Sequence, residues 1–318
     1  MIKKHPLPHF DEFLLNLKVN NYSNETLYNY ERDLIVFENF LTDTKLDFSK
    51  ISKKTLLNYK AYLVSIDRLT TDKNTTDTQL SSYSTNRMLS AIRSYLKYMI
   101  NMDYPAPISP DAIKMSKVIK KKIQVPDLNE IIKIIEAPDE IEKNKKVSLR
   151  NRAILEVLFA TGLRISELVD LRNDKIDNQG RIFVLGKGKK ERFAYLTPRA
   201  IKHLNLYLKI RPSDSLFVFV PFQGKNVHNK KNKKISKRYI QERIKKYKEL
   251  LNINVPISPH IIRHAFATYL AEEGANPVAI QILLGHESLN TTTRYVHASD
   301  RYAEKTHHDF HPLKDTDE

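Results

Sequence analysis

The stretch Ser258-Pro-His260-Ile-Ile-Arg263-His-Ala-Phe-Ala-Thr-Tyr-Leu270, running on to Gly274, decides how the last third of this chain folds. Ser258 is a helix N-cap and Pro259 suits the first helical position, so a helix is predicted from Pro259 until Gly274 ends it. His260 and Arg263 stand three apart and therefore share one helical face near the helix start. The punctuation then repeats: Asn276-Pro277 opens another helix and Gly285 closes it, leaving His286 just beyond. Tyr295 ends the segment Asn290–Tyr295, where Asn290 can cap a further short helix.

Upstream, a helix over Arg152–Ala160 is predicted to stop at Gly162, and Arg164 and Glu167 follow in Thr-Gly-Leu-Arg-Ile-Ser-Glu. Short strands at Arg181–Leu185 and Arg192–Leu196 flank Gly-Lys-Gly-Lys, which puts Lys187 in a hairpin turn. Singly these features are weak, since a Gly-Lys-Gly turn is usually only a turn. Together and in order they form a chemical set. Two arginines can neutralise a phosphate, histidines can orient it, a lysine can protonate a leaving alkoxide and a tyrosine can attack phosphorus. A metal site from His260, His264 and His286 is disfavoured, because no carboxylate motif accompanies them and the arginines repel a cation. His264 projects at a different helical angle from Arg263 and reads as structural.

Composition sets the wider frame. At 318 residues two domains are expected, and only 7 glycines favour helices over turn-dense sheets. Against 37 Asp and Glu stand 53 Lys and Arg, and the net charge of +16 points to a polyanionic partner. Cysteine is absent, which rules out disulfides and thiolate metal sites. The opening Met-Ile-Lys-Lys-His-Pro has no apolar signal core, and no run of about 18 apolar residues suggests membrane insertion. A cytoplasmic, nucleoid-associated protein is expected.

Residues 1–108 read as a four-helix unit: an opening helix near Phe10–Val19, one capped by Ser23, one near Lys54–Ser65 and one beginning near Ser84. Residues 69–82 look like a loop. Prolines 105, 107 and 110 end the unit, and 109–126 reads as a basic linker along phosphates, with Lys120, Lys121 and Lys122 as contacts. The larger domain spans 127–318, with further helices at Pro198–Ile210 and Tyr239–Leu251.

Ala160–Leu171, Val184–Arg192, Ser258–Leu270, Ile282–His286 and Thr291–His297 together resemble the lambda-integrase-type tyrosine recombinases, most nearly the bacterial Xer type. Tyr22-Ser-Asn-Glu-Thr-Leu, Asn86–Arg93 and the tail His307-His-Asp-Phe-His-Pro312 extend the resemblance over nearly the whole chain. It implies a mainly α fold: an N-terminal core-binding (SAM-like) domain, then a mostly helical catalytic domain with a small antiparallel sheet.

By the same resemblance Arg164, Lys187, His260, Arg263, His286 and the nucleophile Tyr295 are the catalytic set. Glu167 supports them by positioning a basic neighbour. Attack by Tyr295 would leave a 3′-phosphotyrosine and a 5′-hydroxyl, without metal, ATP or cofactor. Lys187 would act as general acid, while Lys189 and Lys190 would touch phosphates. Arg87, Arg93 and Lys97 are candidate DNA contacts of the first domain. The implied partners are double-stranded DNA with a short inverted repeat and three further copies, forming a tetramer on two duplexes. A helix over Ser299–Asp309 would dock on a neighbouring copy. A DNA translocase or an accessory recombinase is a further candidate partner. Resolution of chromosome dimers through a Holliday junction is the leading role. Mobile-element integration or excision, a type IB topoisomerase and a non-catalytic DNA-binding regulator are the alternatives.

Overall fold

The computed structural model describes residues 5–66, 68–69, 78–118, 124–185, 191–212, 215–223 and 233–285. The chain divides into two compact units, Met1–Lys121 and Lys122–Glu318.

In the first unit α1 (Phe10–Val19), α2 (Asn24–Asp43), α3 (Lys53–Val64) and α4 (Ser82–Asn101) enclose one apolar core. Serine starts three of them: Ser23 accepts from the Thr26 N–H, Ser52 from Thr55 and Ser81 from Ser84. Each bond satisfies an N–H that a helix start otherwise leaves unpaired. Because Ser81 is the cap, α4 begins ahead of Ser84. Inside, Phe37 and Tyr59 pack with ring centroids 4.7 Å apart, and Phe13 meets Tyr95 edge-on at 5.5 Å. Leu34, Leu63 and Leu89 are fully buried beside them, each stabilising the unit by about 1.5–3 kcal/mol.

Beyond α4 the chain folds back along that helix. Asn86 and Ser116 exchange two hydrogen bonds of 2.9 and 2.7 Å, and Ile113 is buried in the same core.

The second unit comprises α5 (Leu128–Ile141), α6 (Lys145–Thr161), α7 (Ile165–Val169), strands β1 (Arg181–Leu185) and β2 (Glu191–Tyr195), α8 (Pro198–Leu208), α9 (Lys237–Leu250), α10 (Pro259–Glu272) and α11 (Pro277–Leu284). The architecture is mainly helical with a small antiparallel hairpin, as the sequence implies. α6 is the central element, packed against α5, α8 and α10. It starts well before the expected Arg152, because the Asn144 side chain caps the N–H groups of Lys146 and Val147. Its first turns carry polar residues that are nevertheless buried. Arg152 bridges Glu136, Asp139 and Glu156 at 3.3, 3.0 and 2.9 Å. Arg150 donates to the Val220 carbonyl and to Asn151 and Tyr239. Such groups can enter a core only when every charge finds a partner.

The hairpin pairs Ile182 with Ala194 and Val184 with Arg192, and these four face inward. β2 lies one residue earlier than expected, at Glu191–Tyr195 rather than Arg192–Leu196. Leu196 still donates its N–H to the Gly180 carbonyl, but the ladder ends there because the Gly180 N–H turns back to the Asp177 carbonyl. Likewise α9 starts at Lys237, ahead of Tyr239, since the Ser236 hydroxyl accepts from the Tyr239 N–H. Among the described residues no helix is long and apolar enough to cross a membrane.

Candidate active site

Two helix ends and one helix start build the site. α6 stops at Gly162, whose φ of 59° lies in the left-handed region that favours glycine. Two residues on, Arg164 caps α7, and its backbone N–H donates to Glu167 Oε2 at 2.8 Å. That reach-back directs the Glu167 carboxylate toward the arginine rather than away from it. α10 starts as the sequence predicts, with Ser258 capping the Ile261 N–H and Pro259 in the first turn. This leaves His260 exposed and turns Arg263 inward.

Glu167 is the hub. Its Oε1 accepts from Arg164 Nη1 at 3.0 Å and from Arg192 Nη1 at 3.0 Å, its Oε2 accepts from Arg192 Nη2 at 2.7 Å, and Arg263 Nη1 lies 4.0 Å from Oε2. Burial pushes the Glu167 carboxyl up. The hydrogen bonds and charge of Arg192, with the N–H and charge of Arg164, outweigh it and hold the group below the ordinary carboxylate range. It is therefore ionised, and the cluster of three guanidiniums and one carboxylate keeps a positive excess.

The same arginines gather the end of α11. Arg192 Nε donates to the Leu283 carbonyl at 2.9 Å, Arg263 Nη2 to Leu284 at 2.6 Å and Arg164 Nη2 to Gly285 at 3.4 Å. These are carbonyls a helix end leaves without partners, at the negative pole of its dipole. Cations there are stabilised, and the planes of the guanidiniums are fixed. Gly285, at φ 63°, closes α11 as expected.

The structure thus brings together Arg164, Arg263 and Glu167 of the predicted set. His260 stands three positions before Arg263 on α10. His264 is buried, with Nδ1 3.2 Å from the Thr268 hydroxyl, and burial together with the charge of His260 holds it below the ordinary histidine value. That is the structural role expected of it. Lys187, Lys189, Lys190, His286 and Tyr295 lie outside the described residues, as do Lys120, Lys121, Lys122 and the Ser299–Asp309 segment.

In the first unit, the candidate contacts Arg87 and Arg93 both have internal partners. Arg87 Nη1 pairs at 2.7 Å with Oδ2 of the buried Asp33. Arg93 donates to the carbonyls of Pro110 and Ile113. Lys97 is exposed.

Sequence reasoning passed over Arg192. A usable signal was present: in Glu-Arg-Phe-Ala-Tyr the strand alternation that turns Ala194 inward turns Arg192 inward too. An arginine on the buried face of a hairpin needs a carboxylate, and Glu167 is the one it finds.

A profile described as Phage integrase family matches residues 124–301, more than half of the chain, and one described as Phage integrase, N-terminal SAM-like domain matches residues 10–102. Tyrosine recombinase XerD of Staphylococcus epidermidis is 32% identical over 299 residues, covering 91% of this chain and 93% of that protein. Among solved structures, the XerH site-specific recombinase bound to a palindromic difH substrate in a post-cleavage complex shares the fold, with a TM-score of 0.70, 21% identity and coverage of 92% of this chain and 81% of the other. A lambda integrase tetramer bound to a Holliday junction does so at a TM-score of 0.69 and 15% identity, over 92% and 76%. With an N-terminal SAM-like domain ahead of a mostly helical second domain, the chain belongs to the phage integrase family and is a tyrosine recombinase.

Proposed function

We propose that this recombinase cuts and rejoins DNA with Tyr295 as nucleophile while Arg164 and Arg263 hold the scissile phosphate, and that its role is of the Xer type, the resolution of chromosome dimers in the cytoplasm. The observation carrying this reading is the meeting of Arg164 and Arg263, from distant parts of the sequence, at 3.0 and 4.0 Å from the same buried carboxylate. Guanidiniums so fixed present a preorganised positive field to the charge that builds on phosphorus during attack.

The phenol oxygen of Tyr295 attacks phosphorus as its proton passes to His260 or His286, and the bond to the 5′ oxygen breaks. The DNA 3′ end stays on the tyrosine, and the departing oxygen takes a proton from Lys187. An ammonium with a pKa of about 10.4 is charged at neutral pH yet acidic enough to protonate an alkoxide. His260 and His286 donate to the non-bridging oxygens. A 5′-hydroxyl from the partner duplex then attacks the phosphotyrosine, which exchanges strands and frees Tyr295 without metal, ATP or cofactor. Two duplexes exchanged in this way pass through a Holliday junction.

Such exchange needs four copies on a short inverted-repeat site, coupled through the 299–309 segment. An apolar groove on the second unit, lined by Leu128, Ile132, Phe159, Phe266 and Leu270, supports that reading as a seat for the segment from a neighbouring copy.

A nicked suicide substrate resolved on a denaturing gel tests the chemistry. The wild-type protein becomes covalently attached to DNA, whereas Tyr295→Phe binds the same DNA in a mobility shift and forms no adduct. An undiminished adduct in Tyr295→Phe removes Tyr295 from the role.

A further inference from the structure

We propose that Arg192 is a positioning residue for strand cleavage: by engaging both oxygens of Glu167 it keeps that carboxylate from neutralising Arg164 and Arg263. The proposal rests on the phosphate-holding role given to those two arginines above, and extends it to a residue that touches no substrate.

Three observations carry it. First, Arg192 uses its whole fork inside the protein: Nη1 and Nη2 go to the two Glu167 oxygens at 3.0 and 2.7 Å, and Nε goes to the Leu283 carbonyl at 2.9 Å. Its side chain is only 4% exposed, and each of the three nitrogens of its fork has a partner within the protein. Second, Arg164 holds Glu167 by a single side-chain bond and is 35% exposed, while Arg263 stands 4.0 Å off. The closest and doubly bonded counter-ion is therefore Arg192, whose Nε, Nη1 and Nη2 are all engaged inside the protein. Third, the fit is exacting. A Cβ at Gly285 would lie 3.0 Å from Arg192 Cδ, so the bare backbone at Gly285 lets the Arg192 stem pass.

The consequence is electrostatic. With Arg192 in place, three guanidiniums share one carboxylate, and the surplus positive charge lies beside Arg164, the most exposed of the three. Without it, the buried Glu167 charge must be met by Arg164 and Arg263, which are then drawn toward Glu167 and away from phosphate. In a water-poor site a misdirected charge of this kind weighs heavily on the transition state. A merely structural Arg192 would behave differently, since its loss would lower stability and the folded fraction while leaving the adduct rate per folded molecule unchanged.

The experiment compares wild type, Arg192→Met, Glu167→Gln and the double variant Arg192→Met/Glu167→Gln on the nicked suicide substrate. Adduct formation rate is read beside DNA affinity by mobility shift and folding by circular dichroism. Arg192→Met is expected to bind DNA as wild type does but to form adduct about tenfold more slowly. The double variant recovers at least about threefold of that loss, the non-additivity expected of a coupled pair. A wild-type rate in Arg192→Met, or a slow rate that Glu167→Gln leaves unchanged, overturns the proposal. Should Arg192→Met fail to fold, Arg192→Lys takes its place, because an ammonium keeps the charge yet cannot span both oxygens. Its rate must fall below wild type and rise when Glu167→Gln is added, and any other pattern overturns the proposal. Absence of adduct from the wild-type protein itself would instead count against the proposed function.

Discussion

Arg263 donates to the carbonyl oxygen of Gly162 at 2.6 Å, across 101 positions of the chain. The bond joins the His-x-x-Arg helix to the Thr-Gly-Leu-Arg turn, so the two motifs proposed to carry the chemistry are physically one object. Both ends matter: Gly162 offers a helix-terminal carbonyl, and Arg263 brings a cation to the pole where one is favoured. With Arg263 also on Leu284, a single guanidinium ties the C-terminal ends of α6 and α11.

Gly162→Ala should therefore damage both the fold and the site. The left-handed φ of 59° disfavours any Cβ, and the added atom would lie 2.5 Å from Phe266 Cδ1. A loss of about 2–4 kcal/mol in urea denaturation is expected, together with slower adduct formation. Unchanged stability would mean that the turn tolerates a Cβ.

Asp33 gives the first unit a pH dependence. Burial raises its carboxyl to about 6, against the opposing charges of Arg87 and Arg32. As the pH falls, the folded state takes up this proton before the unfolded chain does. The Asp33 contribution therefore favours folding more at about pH 4 than above pH 6, by up to roughly 3 kcal/mol. Hydrogen exchange of α2 and α4 peptides in the full-length protein should show stability falling between pH 4 and 6. Asp33→Asn should abolish that slope, and a slope that survives the substitution assigns it to another group.

Tyr247→Phe tests the buried polar network at the far end of α6. The Tyr247 hydroxyl donates to Glu142 at 2.6 Å and accepts from Asn151 at 2.7 Å. Its removal leaves both partners short of a bond and should cost about 1–3 kcal/mol in chemical denaturation. Asn151 lies roughly 16 Å along the helix from Gly162, so adduct formation per folded molecule should not change. A marked loss of adduct would show that the network reaches the site.

Particular residues mark how far the sequence could be read. Ser23, Ser258-Pro259, Asn276-Pro277, Gly162 and Gly285 announced helix starts and stops correctly, because a cap is settled by the residue and its nearest N–H or carbonyl groups. The first turns of α6 were hidden. Arg150, Asn151 and Arg152 are buried, and what buries them is contact with Tyr239, Val220, Glu136 and Asp139 on other elements. The internal partners of Arg87 and Arg93, namely Asp33, Pro110 and Ile113, were likewise invisible, since none is a neighbour in sequence.

By itself the sequence determined the helical class, the cap positions, the absence of thiol chemistry and the residue types able to handle a phosphodiester, all of them matters of local geometry and composition. Only the tertiary structure decided which charges share a counter-ion. Glu167 and Arg192 stand 25 positions apart, and Arg164 and Gly285 121 apart, yet each pair is in hydrogen-bond contact. No periodicity encodes such pairs, because they exist only once α6, α7, α10, α11 and the β1–β2 hairpin have packed and the buried charges have had to find one another.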